Sequence, residues 1–239
     1  MFWLILALAA QAAPPLTITA VPGKGFLVTA PPFPQDQAKV LEANQLAEAS
    51  KRCGQLPVRW GRFNYQTRMV GNSAMIDQYR QAFSCVDPAT DPYKPAPADW
   101  KATARDDADV LVFARRFMAA VDAQDAKTGV AMMEPMTETT AAEWLVFPRA
   151  FASMKAQGIR TYSRPEWQVN PTDAGHPGAY ANIYFQGRYP ALAAHCGGLR
   201  LYRKGPGDYQ VSQQNFRAIP LSDVTSGRVS KEQVAQQCG

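Results

Sequence analysis

Histidine is scarce in this chain: 239 residues contain two, alongside four cysteines. That is too few for a histidine-rich metal store or a zinc-ribbon array, and no metal site is expected. No apolar run reaches the roughly 18 residues of a membrane-spanning helix, so no transmembrane anchor is expected either. A phosphate-binding loop is missing, because Gly23-Lys24-Gly25 reads as a turn and not as part of G-x-x-x-x-G-K. No serine stands in a G-x-S-x-G context, and His176 sits in a Gly-Pro loop, so no Ser-His-Asp set is expected. No internal repeat is found, and no cofactor is implied. Disorder is excluded by composition, since 46% of the residues are hydrophobic and 19% are charged.

What is present begins with an address. Residues Phe2 to Ala10 form a short apolar core, followed by Ala10-Gln11-Ala12. An apolar core ending at small A-x-A residues reads as a secretory signal peptide, residues 1–12, cleaved after Ala12. No cysteine follows that site to carry a lipid. The expected location is therefore exported, periplasmic or extracellular. Export changes how Cys53, Cys85, Cys196 and Cys238 read, because an even set in an oxidising compartment favours disulfides. Four cysteines allow three pairings. Pairing within each half, Cys53 with Cys85 and Cys196 with Cys238, is the reading adopted.

The chain divides into a small α+β domain over 16–86, a proline-rich linker over 87–104 and a larger α+β domain over 105–239. The linker rests on Asp87 to Pro97, where four prolines bar a helix or a central strand. In the first half, Thr17 to Thr29 reads as a hairpin turning at Pro22 to Gly25. Asp36 to Cys53 reads as a helix stopped by Gly54. Val58 to Thr67 reads as a strand with a bulge at Gly61. The spacing of Met75, Ile76, Tyr79 and Phe83 predicts a second helix over Ser73 to Phe83.

In the second half, Asp107 to Ala126 carries an apolar stripe of Val110, Phe113, Ala114, Phe117, Met118 and Val121. Thr140 to Glu143 fits a capping box for a helix bearing Trp144, kinked or divided at Pro148. Strands are expected at Glu166 to Val169, Ala179 to Arg188, Leu199 to Arg203 and Tyr209 to Gln213, with a turn at Gly205 to Asp208. A last helix, capped by Ser230, carries Cys238. Helices followed by a meander argue for the α+β class and against a Rossmann sheet.

The segment from about Asp106 to Ile219 resembles a family of exported bacterial proteins of unknown function. The residues that carry the resemblance are Phe113, Phe117 and Asp122, then Trp144 and Arg149, then Arg164, and Gly178-Ala179-Tyr180 opening the long strand. The order of elements is also similar to the cone-shaped fold of nuclear transport factor two and the cystatin-like proteins. That resemblance implies a concave sheet enclosing a pocket, on a fold that hosts isomerases, dehydratases and binding modules.

A pocket enzyme would need a poised acid or base. The carboxylate candidates are Asp122, Glu134, Glu143 and Glu166. Asp122 lies in a polar stretch and reads as solvated, and Glu143 already has a capping role. None is flanked by enough apolar residues to raise its pKa, so no catalytic residue is assigned. Along Ala179 to Gln186, Ala179, Ala181, Ile183 and Phe185 share the core face. Tyr180, Tyr184 and, on the next strand, Arg200 are read as a candidate contact face, since tyrosine offers large area and a polar tip. The alternation of arginine and aromatics in Arg59 to Tyr65 could bind single-stranded nucleic acid, but export argues against that partner. The sequence therefore points to an exported envelope protein that binds a protein or small ligand, or serves as a structural accessory, without catalysis. The alternative is a cone-fold enzyme using acid–base chemistry on a small molecule. A cystatin-like inhibitor would need an inhibitory loop, and none is evident.

Overall fold

Two antiparallel five-stranded sheets and five helices make up the described residues, 13–23, 25–71, 73–135 and 159–238, of the computed structural model. The chain is α+β. It divides into two compact units, Met1–Thr90 and Asp91–Gly239. Residues 1–12, the expected signal peptide, lie outside the described residues, as does the segment 136–158 that holds Thr140, Glu143, Trp144, Pro148 and Arg149.

In the first unit, β1 (Thr17–Val21) and β2 (Gly25–Ala30) form a hairpin. A two-residue strand β3 (Phe33–Pro34) leads through one 3-10 turn into α1 (Ala38–Cys53). Helix α1 buries Leu41, Gln45, Ala49 and Cys53, a stripe at steps of four residues, and Gly54 ends it with a φ of 60°. Strands β4 (Val58–Val70) and β5 (Ser73–Cys85) complete the sheet. β5 is central, with β2 and β3 along one edge and β4 along the other. Val28, Ala49, Cys53 and Phe83 form one core cluster, and Phe33, Leu41, Ile76 and Tyr79 another. A disulfide joins Cys53 at the end of α1 to Cys85 at the end of β5.

The segment Ser73 to Phe83 is a strand, not the expected helix. Ile76, Tyr79 and Phe83 are all buried. In a regular strand Ile76 and Tyr79, three apart, would face opposite ways. Gln78 has a φ of 52°, and the pairing shifts from Asn64↔Arg80 to Gln66↔Asp77. That extra residue on β5 brings Ile76 and Tyr79 to one side, imitating a helical interval.

The second unit begins with an extended segment and then α2 (Ala104–Ala123). Thr103 and Asp106 close a capping box over its first turn. Gln124, at a φ of 56°, ends α2, and α3 (Ala126–Ala131) follows as a separate helix capped by Asp125. The sheet contains β6 (Ile159–Tyr162), β7 (Glu166–Val169), β8 (Ala179–Arg188), β9 (Leu192–Gly205) and β10 (Asp208–Pro220). The order is β10-β9-β8, with β6 and β7 along different stretches of the outer edge of β8. Val110, Ala114, Phe117, Met118 and Val121 of α2 pack in one cluster with Ala181, Ile183, Phe185, Leu199, Leu201 and Val211. Each large apolar side chain buried there contributes about 1.5–3 kcal/mol. Short helices α4 (Leu221–Thr225) and α5 (Lys231–Cys238) follow, and a disulfide ties Cys238 to Cys196 on β9. No helix among the described residues is long and apolar enough to cross a membrane.

Candidate functional site

Besides the Asp106–Arg203 ion pair at the start of α2, two clusters of polar groups stand out in the second unit. One lies across the row Arg160↔Gly187↔His195, formed by β6, β8 and β9. Gly187 leaves the gap that this row needs, since a methyl group there would stand 2.6 Å from His195 Cδ2. Across it, Arg160 Nε donates to His195 Nε2 at 3.3 Å. The two terminal nitrogens of Arg160 grip Asp122, near the end of α2, at 2.5 and 2.6 Å. The guanidinium also lies 5.9 Å from the Phe185 ring centre and 5.6 Å from that of Tyr189. Arg160 is 9% exposed and Asp122 44%.

The protonation states follow from this geometry. Burial, and then the neighbouring Arg160 charge, pull His195 down to about 4, so its ring is neutral near pH 7. Its Nδ1 donates to the Arg217 carbonyl at 3.1 Å, which leaves Nε2 to accept from Arg160. Burial works against the charge on Arg160, but the Asp122 carboxylate more than offsets it and raises the Arg160 pKa. Burial raises Tyr162 and Tyr189, keeping both phenols protonated.

The second centre lies on the opposite face of the sheet. His176 Nε2 is 3.0 Å from Glu134 Oε1, and its Nδ1 is 3.0 Å from the Pro177 carbonyl. The Tyr180 hydroxyl donates to the His176 carbonyl at 2.7 Å. Tyr93 stacks on the His176 ring at 3.6 Å, and Tyr202 meets that ring edge-on at 4.3 Å. Arg200 holds Asp173 with two nitrogens, at 3.1 and 2.9 Å, and Gln168 at 2.6 Å. Its hydrogen bond keeps the Asp173 carboxyl below the usual range. Asn170 pins the extended segment by exchanging two hydrogen bonds of 2.9 Å with Ala96.

The expected contact face of Tyr180, Tyr184 and Arg200 is corrected by this arrangement. Tyr180 is 0% exposed and Arg200 7%, whereas Tyr184 is 52% exposed. The loop bearing His176 bonds to the first tyrosine, and Tyr93 stacks on that histidine, so the three residues do not form one open surface. Of the carboxylate candidates, Asp122 is bound to Arg160 instead of being merely solvated, and Glu134 is bound to His176. Glu166 is exposed, and Glu143 lies outside the described residues. Arg160 and His195 stand 35 residues apart, so no local spacing in the sequence marks them as partners. The signal that could have found them is Gly187, a glycine inside a strand. Among the described residues, no group of three or more His, Cys, Asp or Glu side chains could hold a metal ion.

No protein-family model matches the chain, and no curated protein matches it. A solved structure that does match is the 2.1 Å structure of ActVI-ORFA from Streptomyces coelicolor, at 15% identity. The match covers 46% of this chain and 95% of that one, with a TM-score of 0.31. A score that low does not establish a shared fold, and no property of that protein is carried over.

Proposed function

We propose that the chain is an exported envelope protein that acts by binding or as a structural accessory, with the second unit a cone-like domain that does not catalyse. The observation that supports this most is that both ring nitrogens of His195 are engaged inside the protein, which leaves that imidazole no lone pair for a substrate proton. A general base needs a lone pair within reach of the substrate proton. In His195 one nitrogen faces the Arg217 carbonyl and the other Arg160, while both Asp122 oxygens accept from Arg160. What remains is hydrogen-bonding capacity on the exposed side of Asp122 beside Tyr162 and Tyr189, which suits holding a small polar ligand. Export is supported by the sequence of residues 1–12 and by two disulfides.

Two measurements test the reading. Fractionation of cells making the full chain should recover it outside the cytoplasm, twelve residues lighter by intact mass. A full-length cytoplasmic product would refute export. The second measurement uses 5-nitrobenzisoxazole, a general probe of carbon-proton abstraction. Its consumption should match the buffer background in wild type and in Asp122→Asn alike. An acceleration that disappears in Asp122→Asn would install the acid–base enzyme instead.

A further inference from the structure

The two disulfides stand in different surroundings. Helix α5 has eight residues, none of them buried, and within it only Val234 and Cys238 are half-buried. Isolated helices shorter than about 12–15 residues are marginal in water, so α5 depends on what it is tied to. Its cap, where Ser230 and Gln233 exchange hydrogen bonds, is internal to its own first turn. It is joined to the sheet by the Cys238 carbonyl, which accepts from Gln186 Nε2 at 3.0 Å, and by the bond from Cys238 to Cys196 on β9. Cys53, by contrast, belongs to a core cluster with Val28, Ala49 and Phe83, and Cys85 packs against it. Cys196 is in no core cluster among the described residues. Cys53 and Cys196 are each 7% exposed, so static exposure does not tell the two bonds apart. The cost of opening does. Baring Cys196–Cys238 means undocking one short helix, whereas baring Cys53–Cys85 means breaking a core.

We infer that Cys196–Cys238 is a redox-operated latch: a dithiol reductant frees α5 from the sheet while the second unit stays folded. A thiolate of the reductant attacks Cys238 Sγ, the less buried of the two sulfurs. The S–S bond breaks, and Cys196 leaves as a thiolate and takes up a proton. The second thiol of the reductant then displaces Cys238 from the mixed disulfide. Two electrons and two protons reach the protein, and the reductant ends as a disulfide. Alternation along β8 and β9 puts Tyr184, Gln186, Cys196 and Gly198 on one side of the sheet. Tyr184 is already 52% exposed there. Release of α5 therefore extends an open stretch and adds a free thiol to it. Gly187 and His195 lie on the other side, so the latch works independently of what the Arg160 centre binds.

The test uses the oxidised chain, dithiothreitol without denaturant, alkylation at timed intervals and peptide mapping. Cys196 and Cys238 should be alkylated together, about tenfold or more faster than Cys53 and Cys85. Hydrogen exchange on the partly reduced protein should show α5 losing protection while α2, β8 and β9 keep theirs, and reoxidation should restore it. Val234→Ser, which removes the half-buried apolar side chain of the helix, should speed the opening of Cys196–Cys238 and leave Cys53–Cys85 unchanged. Equal rates at the two bonds, or no reduction short of global unfolding, overturns the inference. So does an α5 that stays protected once its bond is cut, a loss of protection throughout the second unit, or an unchanged rate in Val234→Ser.

Discussion

Tyr180 and Tyr184 stand four residues apart on the same face of β8, yet one is sealed and the other open. Tyr180→Ala should therefore cost about 3–5 kcal/mol, as large core deletions do. Tyr184→Ala should stay within about 0.5 kcal/mol. Urea denaturation separates the two, and equal losses would contradict the burial described. His195 gives a residue-scale prediction in pH. Its pKa falls from the ordinary 6.5 to about 4 on folding. Between those values the unfolded chain binds the extra proton, so stability rises with pH. The contribution is fully present above 6.5 and is lost as pH drops toward 4, at no more than about 1.4 kcal/mol per pH unit. Urea midpoints at pH 7, 5.5 and 4.5 should show a shallower decline for His195→Gln than for wild type.

At the scale of elements, Gly187 is where strand geometry and site geometry meet. Gly187→Ala would push a methyl group against His195 and against Tyr189, 2.9 Å away. Overpacking of this kind costs about 1–3 kcal/mol, and moving His195 should also flatten the pH dependence. A variant with wild-type stability and an unchanged slope would show that the row does not need the gap. Elements with a simple period were legible in advance. Ala179 to Arg188 alternates cleanly and is β8 end to end. The stripe on α2 repeats at helical spacing, although the helix begins and ends three residues earlier than the expected Asp107 to Ala126. β5 was illegible because a bulge at Gln78 mixes the two periods, and β6 because four residues carry too little pattern. The Arg160 centre was illegible for a different reason. Pairing between β6, β8 and β9 assembles it, and no local spacing records which strands become neighbours.

For the whole molecule, the extended segment that opens the second unit belongs to that unit's structure. Tyr93 covers His176, and Ala96 bonds to Asn170. A chain beginning at Asp91 should melt higher than one beginning at Arg105, and His176 should exchange its ring protons faster in the shorter one. Identical melting would show that the segment is a passive tether. Each disulfide closes a long loop, with 32 residues of separation for one and 42 for the other. Replacing Cys196 and Cys238 by serine should remove about 4 kcal/mol in the chain-entropy picture, read as a lower urea midpoint for the second unit.

The order of those bonds along the chain has a consequence in time. The first cysteine joins the second and the third joins the fourth. A polypeptide threaded across a membrane with its N-terminus leading presents Cys53 and Cys85 to an oxidant before Cys196 emerges. Oxidation in order of arrival then produces the final pairs directly, with no wrong bond to undo. Such a chain needs an oxidase but no isomerase. Production in an exporting host that lacks disulfide isomerase should therefore yield the same two bonds, at the same speed, as production in a host that has it.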